Sequence, residues 1–284
     1  MTADSIRQAS RDAERRVAGS ARCGYAPVLI FAPARLRPLP ITMILQLIAS
    51  LALAAQPATR DTVTNVRELP IVELRAAHPV TNVVAIILSG DGGWADIDQK
   101  VGQRLQARGV DVVGLDMREY LRHGSRNPAI IGRDVSRIAR RYMALWRQQA
   151  FALVGYSRGS DLAPFAATNL EPDIRPHLML IAMLTLLERA SFTYHFSDLW
   201  RTTSGSGDTP ILPQLESLKG LPMLCIYGKA EKESLCRAAP PGLMTVVARN
   251  GQHHFDGNYN ALADLIFEAI GRTSHGASLG SLEQ

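Results

Sequence analysis

Phe151-Ala152-Leu153-Val154-Gly155-Tyr156-Ser157-Arg158-Gly159 is an apolar run that ends on a serine bracketed by two glycines. The run reads as a short buried strand, and the amphipathic stretch from Ser160 to Asn169 reads as a helix. G-x-S-x-G between a strand and a helix is a nucleophile elbow. So tight a turn holds the serine in a strained backbone conformation and pushes its hydroxyl outward. Glycines two residues before and after it leave room where a β-carbon would collide with neighbouring chain. The helix that follows points its first N–H groups at any negative charge developing on a substrate.

Working outward, Thr62–Glu68 and Ile71–Arg75 read as two short strands of a hairpin. Val83–Leu88 is a buried strand that runs into Ser89-Gly90-Asp91-Gly92-Gly93-Trp94. A helix is expected from Asp96 to Arg108, a strand over Val110–Leu115, and a long amphipathic helix opened by Asn127 and Pro128. Beyond the elbow come an apolar strand at Leu178–Leu184 and an alternating stretch at Phe192–Phe196. A loop of mobile composition follows at Thr202–Asp208. Pro222–Tyr227 and Leu243–Val247 are the last strands, and Tyr259–Ile270 is a closing helix. Strands alternating with helices imply a mostly parallel sheet covered on both faces. With the elbow, that is an α/β-hydrolase with little or no lid.

Such a fold reads its catalytic groups in the order serine, acid, histidine, each just past a strand end. Glu231 follows the Pro222–Tyr227 strand, with Glu233 as the competing acid. His253 lies in Asn250-Gly-Gln-His-His-Phe-Asp-Gly257 after the last strand, with His254 as the competing base. The expected assignment is Ser157 as nucleophile, His253 as general base and Glu231 as its orienting acid. Backbone N–H groups of Asp91 or Gly92, with that of Arg158, would form the oxyanion hole. Asp91 beside the scissile bond suits a substrate that is cationic near its carbonyl, such as an aminoacyl ester; helix capping is the competing reading. Asp161 has the same pair of readings through the helix dipole. Trp94, Tyr156, Tyr194 and Trp200 are candidates to line an acyl pocket, or ordinary core aromatics. The histidine pair lacks a third ligand at metal-motif spacing, so no metal is expected. The glycine loop lacks nucleotide-binding spacing, so no cofactor is expected.

Ile41–Ala55 is an apolar run of secretory-signal length, preceded by Arg35 and Arg37 and ending in Ala52-Leu53-Ala54. It falls short of the roughly 20 residues that span a bilayer, so export with cleavage to a periplasm is expected. The competing readings are a retained anchor and a start at Met43. Residues 1–55 then form a leader and 56–284 a single α/β-hydrolase domain. The leader holds seven arginines against Asp4, Asp12 and Glu14, a net of +4 out of the chain's +5. The remainder is therefore close to neutral, and no nucleic-acid partner is indicated. Arg137, Arg140 and Arg141 on the long helix read as a solvated face or as a contact with an anionic bilayer. Cys225 and Cys236 are the two cysteines beyond the leader. In an oxidising compartment an even count favours a disulfide over two buried thiols, closing a loop that carries Glu231.

Taken together, Leu88-Ser-Gly-Asp-Gly-Gly-Trp94, Val113-Gly-Leu-Asp116, Gly155-Tyr-Ser-Arg-Gly-Ser-Asp161, Cys225-Ile-Tyr-Gly through Glu231 to Ser234-Leu-Cys236, and Gln252-His-His-Phe-Asp-Gly257 resemble the AcvB/VirJ bacterial virulence proteins. The resemblance runs from about residue 65 to 270. Arg158 and Ser160 depart from it, standing where an aromatic and an alanine are expected, as does Met117–Arg122. The resemblance implies a periplasmic serine hydrolase that removes lysine from lysyl-phosphatidylglycerol at the membrane surface, with links to type IV secretion. Two other functions stand beside it: a periplasmic binding or assembly factor for secretion-system proteins, and a broad-specificity carboxylesterase.

Overall fold

The structure, a computed structural model, describes residues 65–124, 126–193, 208–276 and 279. Its centre is a seven-stranded sheet. In chain order the elements are β1 (Ile71–Leu74), β2 (Val83–Leu88), α1 (Asp96–Ala107), β3 (Asp111–Leu115), α2 (Met117–Arg122), α3 (Pro128–Trp146), β4 (Ala150–Tyr156), α4 (Arg158–Thr168) and β5 (Leu178–Leu184). They continue with β6 (Arg189–Ala190), β7 (Thr209–Pro210), α5 (Leu212–Ser217), β8 (Met223–Gly228), α6 (Leu235–Ala238), β9 (Thr245–Arg249) and α7 (Tyr259–Ser274). The sheet order is β1-β3-β2-β4-β5-β8-β9. Every neighbouring pair is parallel except β1 with β3.

The sequence VVAIIL of β2 is apolar throughout because all six residues are buried, as a parallel strand covered on both faces requires. Successive side chains point to opposite faces. Val84, Ile86 and Leu88 join the core under α3 and α4 with Ile131, Val135, Leu162 and Phe165. Val83, Ala85 and Ile87 join the core under α1 and α7 with Val101, Leu105, Leu262 and Ile266. Helix α3 starts where Asn127 accepts the Ile130 N–H at 2.9 Å, with Pro128 in the first turn. Helix α2 starts where Asp116 accepts the Glu119 N–H at 3.0 Å.

Several expectations change. Residues 65–69 form coil and turn, so the expected strand at Thr62–Glu68 is absent from its described part. β1 pairs instead with β3, Ile71 opposite Leu115, and among the described residues no strand precedes it. Phe192 and Thr193 are not in a strand; the β ribbon of this region is β6 with β7. Tyr194, Trp200, the rest of 192–196 and nearly all of 202–208 lie outside the described residues, as does the leader. The expectation of little or no lid therefore concerns a segment only partly described. Helices α2, α5 and α6 were not expected; each spans at most six residues, too short to show a periodic apolar face. A disulfide joins Cys225 on β8 to Cys236 on α6. Among the described residues no helix is long and apolar enough to cross a membrane.

Candidate active site

Strand β4 is buried to its last residue and delivers Ser157 into the turn before α4. Ser157 has φ 50° and ψ −119°, a conformation that L-residues rarely adopt and that is held here by its surroundings. Its N–H donates to Leu184 O at 3.0 Å, tying the turn to β5. The bracketing glycines are steric necessities. A Cβ on Gly155 would lie 2.4 Å from Gly159 O, and one on Gly159 would lie 2.0 Å from Leu88 O.

Ser157 Oγ lies 2.9 Å from His253 Nε2, and His253 Nδ1 lies 3.0 Å from Glu231 Oε1. A carboxylate only accepts, so Nδ1 carries the proton and Nε2 is left to accept from the serine hydroxyl. The side chain of Glu231 is 10% exposed. Its loop is closed by the disulfide and by the Glu231 N–H bonded to Gly228 O at 2.8 Å. The histidine loop is seated directly on the end of β8, where a Cβ on Gly228 would come within 2.4 Å of Gln252 O. Buried Phe255 anchors the loop from inside.

The competing residues fall elsewhere. Glu233 is exposed. His254 Nδ1 meets the Tyr156 hydroxyl at 3.1 Å, and the ring stands edge-on to His253 with centroids 5.6 Å apart. Tyr156 also reaches His253 O at 3.3 Å. Burial holds its hydroxyl protonated, pushing its pKa well above the usual phenol range. The residue before the nucleophile thus braces the histidine loop instead of lining an acyl pocket, a role its spacing could not disclose.

Beyond β2, Gly93 N–H bonds to Gly90 O at 3.0 Å in a tight turn, with φ 80° at Gly93. Among the described residues no acceptor takes the Asp91 or Gly92 N–H. Asp116 ties the turn down by accepting the Trp94 N–H at 3.0 Å. The Trp94 ring lies over Gly114 of β3, where a Cβ would come within 2.3 Å of it, so one side of the ring covers the sheet. Asp98, in the first turn of α1, is 3% exposed and was not singled out from sequence. Burial raises its pKa to about 8, and its Oδ1 has no hydrogen-bond partner among the described residues.

Two acidic expectations are corrected. The Asp91 carboxylate is not bare: Arg158 Nε donates to its Oδ1 at 3.0 Å. Nor does Asp91 cap α1, whose first residue has no side-chain cap. Asp161 is buried and accepts the Leu187 N–H at 2.9 Å, well away from solvent. Burial lifts its pKa well above the usual carboxylate range. Arg137 pairs with Glu68 and Asp134, and Arg140 with Glu171 and Asp173. Those two cations are therefore committed within the molecule and are not a bare face for a bilayer.

A sequence profile of the family described as "Bacterial virulence protein (VirJ)" matches residues 82–274, from β2 to the end of α7. The chain belongs to the VirJ family. Among solved structures, MenH from S. aureus superposes with a TM-score of 0.54 at 13% identity, covering 72% of this chain and 98% of that one. Est1E from Butyrivibrio proteoclasticus superposes with a TM-score of 0.50 at 13% identity, covering 71% and 93%. At such identities the likeness concerns the fold, which in this VirJ member is that of an α/β-hydrolase. No curated protein sequence matches the chain.

Proposed function

We propose that this chain is a serine hydrolase of carboxylic esters, acting outside the cytoplasm on an aminoacyl ester, with lysyl-phosphatidylglycerol as the substrate. One observation carries the chemistry. Ser157, strained at an elbow, meets His253 Nε2 at 2.9 Å while Nδ1 meets the half-buried Glu231 at 3.0 Å. Ser157 Oγ attacks the ester carbonyl as its proton passes to His253 Nε2, and Glu231 stabilises the imidazolium. The tetrahedral oxyanion is met by the N–H groups of Asp91 or Gly92 and of Arg158. Collapse breaks the bond to the alcohol oxygen, which takes the proton from His253 and leaves. Water then attacks the acyl-serine, His253 removing its proton, and the free acid departs as Ser157 recovers its own.

Membership of the VirJ family and the resemblance of the site segments support the lipid aminoacyl ester. The Ile41–Ala55 signal pattern supports export, and the Cys225–Cys236 bridge suits an oxidising compartment. Because Arg158 takes up the Asp91 charge, an uncharged ester is the natural comparison substrate. The test is lysine release from lysyl-phosphatidylglycerol vesicles, beside hydrolysis of p-nitrophenyl butyrate, by the wild type and Ser157→Ala. Lysine release that vanishes with the serine supports the proposal. Serine-dependent cleavage of the neutral ester alone makes the protein a broad carboxylesterase. Neither activity from folded wild type would return the chain to the binding-factor reading.

A further inference from the structure

Two of the proposed oxyanion donors belong to chain segments 67 residues apart, the turn after β2 and the first residue of α4. A donor serves the oxyanion only within about 2.7–3.1 Å of it, so the separation of the two segments must be held to a fraction of an ångström. Asp91 and Arg158, which carry those N–H groups, are joined through their side chains. The Nε–Oδ1 contact is 3.0 Å, with the Arg158 side chain 10% and the Asp91 side chain 18% exposed. Guanidinium and carboxylate this far out of water attract more strongly than at the surface, and the contact is a charge-assisted hydrogen bond. The guanidinium also reaches Ser191 O at 3.4 Å, fixing its far side. Among the described residues, the Asp91-Gly92 stretch makes no backbone hydrogen bond to the rest of the molecule. Gly90, just before it, packs against Tyr156 and Ser157, where an added Cβ would lie 3.1 Å from the Tyr156 ring and 3.4 Å from Ser157 Cβ; from Asp91 onward the polar tie to the elbow is this ion pair.

We infer that the Asp91–Arg158 ion pair is a clamp that sets the spacing of the oxyanion hole, its side chains acting as positioning groups while their own backbones supply the donors. The inference rests on the serine-hydrolase reading. Any side chain at 91 or 158 keeps its N–H, so Arg158→Met and Asp91→Ala release the clamp without deleting a donor. A misplacement near 1 Å costs about 10²-fold in rate. Each variant should therefore lower kcat on p-nitrophenyl butyrate, and the second-order rate of Ser157 phosphonylation by a fluorophosphonate, about tenfold to a hundredfold. KM should change little, because the ground-state ester does not need the hole. The pH profile of kcat/KM should keep its shape, since the Ser157–His253–Glu231 contacts are untouched. The double variant should be no slower than the slower single one, as expected for two halves of one device.

Wild-type kcat and labelling in either variant, or losses that multiply in the double variant, would overturn the clamp while leaving the serine-hydrolase reading intact. Failure of the wild type to be phosphonylated at Ser157 overturns that reading and the clamp with it. Should Arg158→Met fold poorly, Asp91→Ala carries the test by itself.

Discussion

Replacing Asp98 with asparagine should remove a pH dependence of stability that this one carboxyl imposes. Burial places its folded-state pKa at about 8 against an ordinary 3.8, and neighbouring Asp116 adds to the rise. Between those values the folded chain keeps a proton that the unfolded chain has released. Unfolding free energy from this group must therefore fall as pH rises, by about 1.4 kcal/mol per pH unit. The contribution is complete below the unfolded pKa and lost once the pH has passed the folded one. Asparagine copies the shape of the neutral acid and does not titrate. Urea unfolding of both proteins at pH 5, 6 and 7 isolates the effect, because other titrating groups, Asp161 included, cancel in the difference. The variant should gain on the wild type by roughly 3 kcal/mol over those two units. Stability curves that stay parallel would refute the reasoning, since they would mean that Asp98 is already ionised in the fold at pH 5.

Further outcomes follow from the site. His253→Ala should cut turnover about 10⁴-fold or more, whereas His254→Ala should stay within about tenfold of wild type; steady-state rates on one ester decide between the two rings. Ser157→Gly should be inactive yet more stable by about 1 kcal/mol, because glycine adopts a φ of 50° without strain; thermal unfolding measures the gain. Alanine at both Cys225 and Cys236, eleven positions apart, should cost about 3 kcal/mol from the lost loop constraint, read from urea titrations of oxidised wild type and variant.

Much of this was legible because the deciding features are local. An apolar run into Gly-x-Ser-x-Gly specifies the elbow, and the two glycine contacts of 2.4 Å and 2.0 Å are the physical content of that spacing. Glu231 and His253 were found by their place after strands, and the structure brings both into contact with each other and with Ser157 by way of His253. What escaped was set by distant partners. Thr62–Glu68 has strand-like alternation, but its described part runs in coil and turn, and β1 takes its partner from β3, far along the chain, instead of from the segment before it. Asp91 looked like a bare charge because its guanidinium lies 67 residues on. The seat of the Trp94 ring on Gly114 was not legible either, because nothing local reveals that the glycine leaves a flat bed for it. Asp98 is one acid in a helix's first turn, and its burial depends on elements that arrive much later in the chain.

The strand order puts β4 at the middle of the sheet, with three strands on either side, and β9 at its rim. Ser157 follows the first and His253 the second, so the nucleophile and its base hang from the parts of the sheet that open last and first. Rim strands exchange their amide hydrogens through small, local openings, whereas the median strand must await near-complete unfolding. A molecule with a frayed β9 would keep its core, its compactness and its serine, and would have lost the histidine's footing. In such a protein the half-life of activity on warming is governed by the rim of the sheet, and circular dichroism would still record a folded chain after the chemistry had stopped.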